Sequence, residues 1–170
     1  MIIVQPMNKE FRKEDEQYMR KAITCAQQAF SKGEVPIGAV LVADGGANRT
    51  NGTAKVLAST YNLVETLCDA TAHAEMQAIT AGAAELGSKY LQDCTLYVTI
   101  EPCPMCAGAI VMADVGSVYY GASDETAGCA GSVYALPEDP AFGKKIPCMG
   151  GLMERACKEI LDTFFGEKRT

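Results

Sequence analysis

The sequence has one histidine and no tryptophan, and 15 Lys and Arg are outnumbered by 21 Asp and Glu, for a net charge of −6. That balance has the wrong sign for a chain whose affinity comes from neutralising phosphates. Either the ligand is small, or basic residues are grouped locally on an acidic background. Long apolar runs are missing as well: IGAVLVA at residues 37–43 is far too short to span a bilayer. The N-terminal MIIVQPMNKEFRKEDE lacks a basic region followed by a long apolar stretch, so it does not read as a secretory signal. A cytoplasmic location is expected. The eight cysteines lack regular spacing, and a reducing compartment argues against a disulfide framework. Six of them (Cys25, Cys68, Cys94, Cys129, Cys148 and Cys157) stand among apolar or small neighbours and read mostly as small buried hydrophobes. Only Cys103 and Cys106 form a C-x-x-C pair, and without tryptophan or a C-G-P-C context it does not read as a thioredoxin-like redox couple.

What remains is an ordinary globular composition, 48% hydrophobic and 21% charged, in 170 residues, enough for one domain with a substantial core. Residues 1–13 read as a loose leader. Tyr18, Met19, Ala22, Ile23, Ala26 and Phe30 recur at helical spacing, which predicts an amphipathic helix over 14–31. Residues 36–44 and 55–61 read as strands of an antiparallel hairpin, joined by the turn-rich GGANRTNG. An Ala-rich helix is predicted over 71–86, with Asp69 or Thr71 as its N-cap and Gly87 as its stop. TLYVTI at 95–100 is a central strand running into a helix through Ala113. Strands at 117–120 and 145–149, a short helix at 132–136 and a C-terminal helix marked by Leu152, Ala156, Ile160 and Phe164 complete the reading. Strands alternating with helices predict an α/β/α three-layer sandwich, its sheet mostly parallel with an antiparallel edge. No repeat or domain boundary is visible, so residues 1–170 are expected to form a single domain.

The chemistry concentrates in two stretches, AHAEMQAI at 72–79 and IEPCPMCAGAI at 100–110. Cys103 and Cys106 are three apart at a helix start, so their thiols share one face. A helix N-terminus favours the thiolate, and Pro102 and Pro104 suit that start. His73 lies at the start of its own helix. If both helices begin at one edge of the sheet, the imidazole joins the thiols as a third ligand of a zinc ion. Three protein ligands leave a fourth position open, the form of a catalytic rather than a structural site. Glu75 is then a neighbour of the metal, able to take a proton from water and deliver it to a ring nitrogen and a leaving amine. The reaction this suits is hydrolytic attack on an aromatic carbon bearing an amino group. A structural zinc with Cys68, Cys94 or Cys129 as fourth ligand is the competing arrangement.

H-x-E followed by P-C-x-x-C resembles the zinc-dependent nucleobase and nucleoside deaminases, of which it is the recognised signature. The resemblance implies zinc, one per subunit, on His73, Cys103 and Cys106, with Glu75 as proton shuttle. It also implies a cytidine-deaminase-like α/β/α fold with a mixed five-stranded sheet. Within that superfamily, EVPIGAVLV at 34–42, TAHAE at 71–75, TLYVTIEPCPMCAGA at 95–109, YGASDETAGCAGS at 120–132 and GLMERACKEILDTFF at 151–165 look most like bacterial tRNA-specific adenosine deaminases. Those enzymes convert wobble adenosine to inosine, so a tRNA anticodon stem-loop is the implied partner and a homodimer the implied assembly. Carried over singly, Asn62 matches a contact to the target nucleoside and Asp124 a contact to a neighbouring ribose. Phe164 and Phe165 match an aromatic pair near the flanking bases. Each has a plainer reading: turn chemistry for Asn62, a solvated loop charge for Asp124, helical core for the phenylalanines.

The chain departs from the pattern in four places. CDATAH lacks a Pro two residues before the histidine. Ser123 and Thr126 stand where basic residues are frequent. The 44–54 hairpin is long, and the basic tail is short, Lys168 and Arg169. A deaminase of free guanine or cytosine compounds is the alternative, since EPCPMC also occurs in guanine deaminases. A non-catalytic zinc-stabilised scaffold is the third reading, and an intact Glu75 argues against it.

Overall fold

The structure is a computed structural model that describes residues 11–48 and 54–168. Expectations for residues 1–10 of the leader, for 49–53 of the hairpin connection and for Arg169 lie outside the described residues. The elements run α1 (Lys13–Ser31), β1 (Gly38–Ala43), β2 (Lys55–Tyr61), α2 (Val64–Leu67), α3 (Ala74–Leu86), β3 (Cys94–Ile100), α4 (Pro104–Met112), β4 (Ser117–Ala122), β5 (Cys148–Gly150) and α5 (Glu154–Glu167).

The five strands form one sheet in the order β2-β1-β3-β4-β5. β1 is antiparallel to both β2 and β3, whereas β3, β4 and β5 run parallel. The sheet is therefore mixed as expected, but not mostly parallel. The hairpin is no edge appendage: its first strand sits beside the central strand. Since β2 and β3 both oppose β1, they run parallel to each other across it. The helices that follow them, α3 and α4, consequently start from the same end of the sheet.

Strand alternation sorts the core into two layers. Ala39, Leu41, Leu96 and Val98 face one side, where Ala74 and Ala78 of α3 and Ile110 of α4 cover them. Val40, Val42 and Tyr97 face the other, against Met19 and Ala22 of α1 and Cys157 of α5. This is the three-layer α/β/α sandwich. Asp15, which is buried, fixes the start of α1. One carboxylate oxygen accepts the Arg12 amide at 2.8 Å and the other accepts the Tyr97 hydroxyl at 2.8 Å, tying the helix to the central strand.

Three local expectations are corrected. α3 begins at Ala74, with His73 rather than Asp69 or Thr71 as its N-cap. Asp69 is occupied upstream, where Oδ1 accepts the Thr71 amide at 2.8 Å and hydroxyl at 2.7 Å in a local turn. Residues 132–136 form turns and an isolated bridge, Ala130 to Ala135, instead of a helix; a short 3-10 turn follows at Leu136–Glu138. β5 starts at Cys148, because Pro147 has no N–H to give to the ladder, though its carbonyl accepts the Val118 amide at 3.0 Å. Among the described residues no helix is long and apolar enough to cross a membrane.

Candidate active site

The helix starts after β2 and β3 meet at one point. His73 is the N-cap of α3, Cys103 is the N-cap of α4, and Cys106 lies three residues on. His73 turns Nδ1 toward both thiols, 3.6 Å from Cys103 Sγ and 3.5 Å from Cys106 Sγ. The three ligand atoms lie within 4.8 Å of one another. Among the described residues this is the one group of three or more His, Cys, Asp or Glu able to hold a metal ion. Cys68, Cys94 and Cys129 are not part of this group, which has the three-ligand form expected of a site with an open position.

Glu75 sits one residue into α3 and is only 2% exposed. Burial is the main reason its carboxyl is pushed up to about 7; its own backbone amide works against that, and the neighbouring Cys103 adds to it. The Cys106 thiol hydrogen-bonds to this carboxylate, yet its Oε2 is buried with no partner. A buried polar atom without a partner is costly, and such atoms collect where a ligand completes the site.

The two thiols are shifted in opposite directions. The hydrogen bond from Cys106 is the largest influence holding Cys103 down to about 4, against the effect of its burial, with His73 helping. That same bond, with burial and the nearby Glu75, pushes Cys106 well above an ordinary thiol. His73 is raised, chiefly by its bond to Cys103. Two sulfurs beside an imidazole form a soft donor set suited to a divalent cation. The residues fit zinc.

The remaining predicted residues divide. Asn62 is buried next to the triad, and its Oδ1 accepts the Ala74 amide at 3.0 Å, so it anchors the first turn of α3 between His73 and Glu75. Asp124 turns Oδ1 inward, accepting the Thr126 amide and hydroxyl and the Ala127 amide in a tight turn. The hydrogen bonds from Thr126 and Ala127 outweigh its desolvation and hold its carboxyl below the usual range. Phe164 is in the core of the α1/α5 layer, its ring 5.5 Å from that of Phe30, while Phe165 is 44% exposed. Only Phe165 of the pair offers a free ring face.

Two buried carboxylates were not singled out from the sequence. Glu34, just before β1, accepts the Glu65 amide at 3.1 Å and the Thr66 amide and hydroxyl at 2.7 and 2.8 Å, capping α2. Glu101, at the end of β3, holds the loop that follows β4. The available signal was an acid at the border of a buried apolar segment, a position that requires partners.

An α/β/α sandwich with a His–Cys–Cys triad at two helix starts and a buried glutamate beside it defines the deaminase class. The MafB19-like deaminase model matches residues 13–167, and the chain belongs to that family. It is 43% identical over 156 residues to the tRNA-specific adenosine deaminase of Bacillus subtilis, covering 92% of this chain and 91% of that protein. A solved structure from a study of A-to-I editing by tRNA:A34 deaminases superposes with a TM-score of 0.76 at 39% identity, covering 85% of this chain and 99% of that one. The guanine deaminase of Bacillus subtilis is 38% identical with a TM-score of 0.56, over 66% of each chain.

Proposed function

We propose that this chain is a zinc-dependent hydrolytic deaminase that converts adenosine to inosine at the wobble position of a tRNA anticodon. The observation that carries the chemistry is the His73–Cys103–Cys106 cluster facing the buried, partly unpartnered carboxylate of Glu75. His73 Nδ1 and the two sulfurs would hold the zinc, which when bound supplies a Lewis acid that makes water a nucleophile near neutral pH. The chain's own part is proton handling and orientation. Glu75 takes one proton of the attacking water on Oε2 and delivers it to the ring nitrogen; it then carries the second proton, from the hydroxyl added at the carbon, to the amine, which departs as ammonia as the carbonyl forms. Adenosine and water become inosine and ammonia. Its raised pKa suits a group that must both accept and donate near neutrality. Asn62 holds the start of α3 through Ala74, and its side-chain amide is the group proposed to read the nucleobase. Asp124 and Phe165 are proposed to meet the flanking RNA, Phe164 supporting Phe165 from below at a ring distance of 5.4 Å.

Support for RNA over a free base comes from the extent of likeness. Identity of 43% and 39% is held over 91% and 99% of two tRNA-specific chains, whereas 38% identity to the Bacillus subtilis guanine deaminase is held over 66% of it. The match to the Nitrosomonas europaea guanine deaminase, over 96% of that chain, falls to 20% identity and shows the fold alone. A homodimer working in the cytoplasm belongs to the same proposal, on the family resemblance. The test uses zinc-loaded protein and an anticodon stem-loop with adenosine at the wobble position. Inosine is expected, with a loss of roughly a hundredfold or more in Glu75→Gln at unchanged zinc content. Inosine absent from wild type but xanthine formed from guanine would replace the RNA reading. Undiminished activity in Glu75→Gln would remove the proton role.

A further inference from the structure

Glu101 is buried, 2% exposed, and stands two residues before Cys103. Among the described residues it forms no salt bridge. Instead both carboxylate oxygens accept hydrogen bonds from one loop: Oε2 from the Asp124 amide at 3.0 Å and from the Ser132 hydroxyl, Oε1 from the Ala130 amide at 3.0 Å and the Ser132 amide at 2.9 Å. The backbone reinforces the clasp. The Cys129 amide donates to the Pro102 carbonyl at 2.8 Å, and the Glu101 amide to the Ala122 carbonyl at 2.8 Å. The loop lies so close that a Cβ on Gly128 would collide with the Glu101 carboxylate. Each of the four side-chain bonds runs into the carboxylate, so neither oxygen can be replaced by a donor without loss.

We infer that Glu101 is a positioning residue of the deaminase, a clasp that sets the 123–132 loop against the start of α4 and so shapes the substrate-binding wall without touching the reacting atoms. The inference rests on the deaminase reading above. The loop carries Asp124, and Cys129 lies between Pro102 and a groove of about 350 Å3 lined by Pro104, Tyr134, Leu136 and Phe142. Releasing the clasp alters where substrate is held while leaving His73, Cys103, Cys106 and Glu75 in their own helix starts.

Glu101→Gln replaces one acceptor oxygen by an NH2 group facing amide donors. Ser132→Ala removes a single hydroxyl from the same clasp and leaves the carboxylate in place. Both zinc-loaded variants would be compared with wild type on the stem-loop and by hydrogen exchange. The expected result for Glu101→Gln is a KM about tenfold higher with kcat changed less, the loss of roughly one charge-assisted bond. Exchange should accelerate at residues 124–132 and stay unchanged in α3, with zinc content retained. Ser132→Ala should move both readouts the same way by a smaller factor. A fall in kcat at constant KM, or unchanged loop exchange in either variant, would overturn the clasp; should Glu101→Gln not fold, Ser132→Ala decides alone by the same criteria. If wild type itself makes no inosine, the RNA reading fails, and the exchange experiment still decides whether Glu101 holds the loop.

Discussion

Glu34 gives the sharpest quantitative expectation. Its carboxylate is 1% exposed and caps α2, the four-residue helix between Asn62 and His73. It accepts two amides and one hydroxyl, at 2.7–3.1 Å. Glu34→Ala removes all three bonds and leaves the Glu65 and Thr66 amides without their acceptor. Charge-assisted bonds of this kind contribute about 1.5–3 kcal/mol each, and water will resolvate part of the exposed end of α2, so a net loss of about 3 kcal/mol is expected at pH 7. For a domain of this size that is a fall in Tm of about 6–12 °C. Burial opposes the charge of Glu34, but the bonds from Thr66 and Glu65 outweigh it and hold the carboxyl below its ordinary value. The sign follows. A depressed pKa contributes stability that is complete above the unfolded value, about 4.3, and is lost as pH falls through the folded value. In thermal melts of wild type and the neutral variant Glu34→Gln, the Tm gap should therefore be widest above about pH 5.5 and close progressively below about pH 4. A gap that stays constant or widens into acid would refute the assignment of the stabilisation to the ionised carboxylate.

Gly82→Ala should destabilise by about 1–3 kcal/mol in denaturant titration, because the new Cβ on α3 would collide with Cδ2 of Leu41 on the facing strand. Phe164→Ala, which empties a core position packed on Phe30, should cost about 3 kcal/mol or more by the same measurement. Phe165→Ala should cost about 1 kcal/mol or less, and any loss of activity on the stem-loop then reports a contact with RNA rather than misfolding. Chelator-treated protein pulsed with a maleimide should label Cys103 ahead of buried Cys25, Cys94 and Cys157, and zinc should restore its protection while exposed Cys68 labels in both states. Equal labelling of Cys103 with and without zinc would show that it does not hold the metal.

The sequence revealed those parts of the fold that are written locally. The period of Met19, Ala22 and Ala26 marks α1, and the apolar run from Thr95 marks the central strand; both are where the pattern puts them. The H-x-E and P-C-x-x-C pairs predicted a convergence that depends on two helices starting at one sheet end, and the triad geometry meets that condition. Sheet order was not legible, because nothing in residues 36–61 tells which strand of a hairpin will lie beside the central strand. The start of α3 was not legible because Asp69 has the composition of an N-cap but holds the Thr71 amide in a turn upstream, while the Ala74 amide at the actual helix start is held by Asn62, twelve positions before it. The roles of Glu34 and Glu101 were invisible for the same reason. Their partners lie 31 and 32 residues away for Glu34 and 23 to 31 residues away for Glu101, beyond any local pattern.

The partner distances also explain how so mobile a task as admitting a nucleotide can sit on so small a frame. His73, Glu75, Cys103 and Cys106 belong to helix starts fixed by sheet topology, whereas parts of the segments around them have no apolar burial of their own: α2 contributes no buried residue and neither do residues 123–127, although Ala72, Cys129 and Ala130 next to them are buried. Such segments would fray if left to hydrophobic packing, since short helices and loops do not recover their ordering entropy locally. Each is gathered in addition by one buried carboxylate that accepts several donors, Glu34 for the stretch from Asn62 to the histidine and Glu101 for the stretch from Asp124 to Ser132. Hydrogen bonds of this kind are directional and few, so a segment can be placed accurately without being welded to the core. The chemistry is anchored to the sheet and the surrounding walls to single acids, which separates the residues whose loss should abolish turnover from those whose loss should weaken binding.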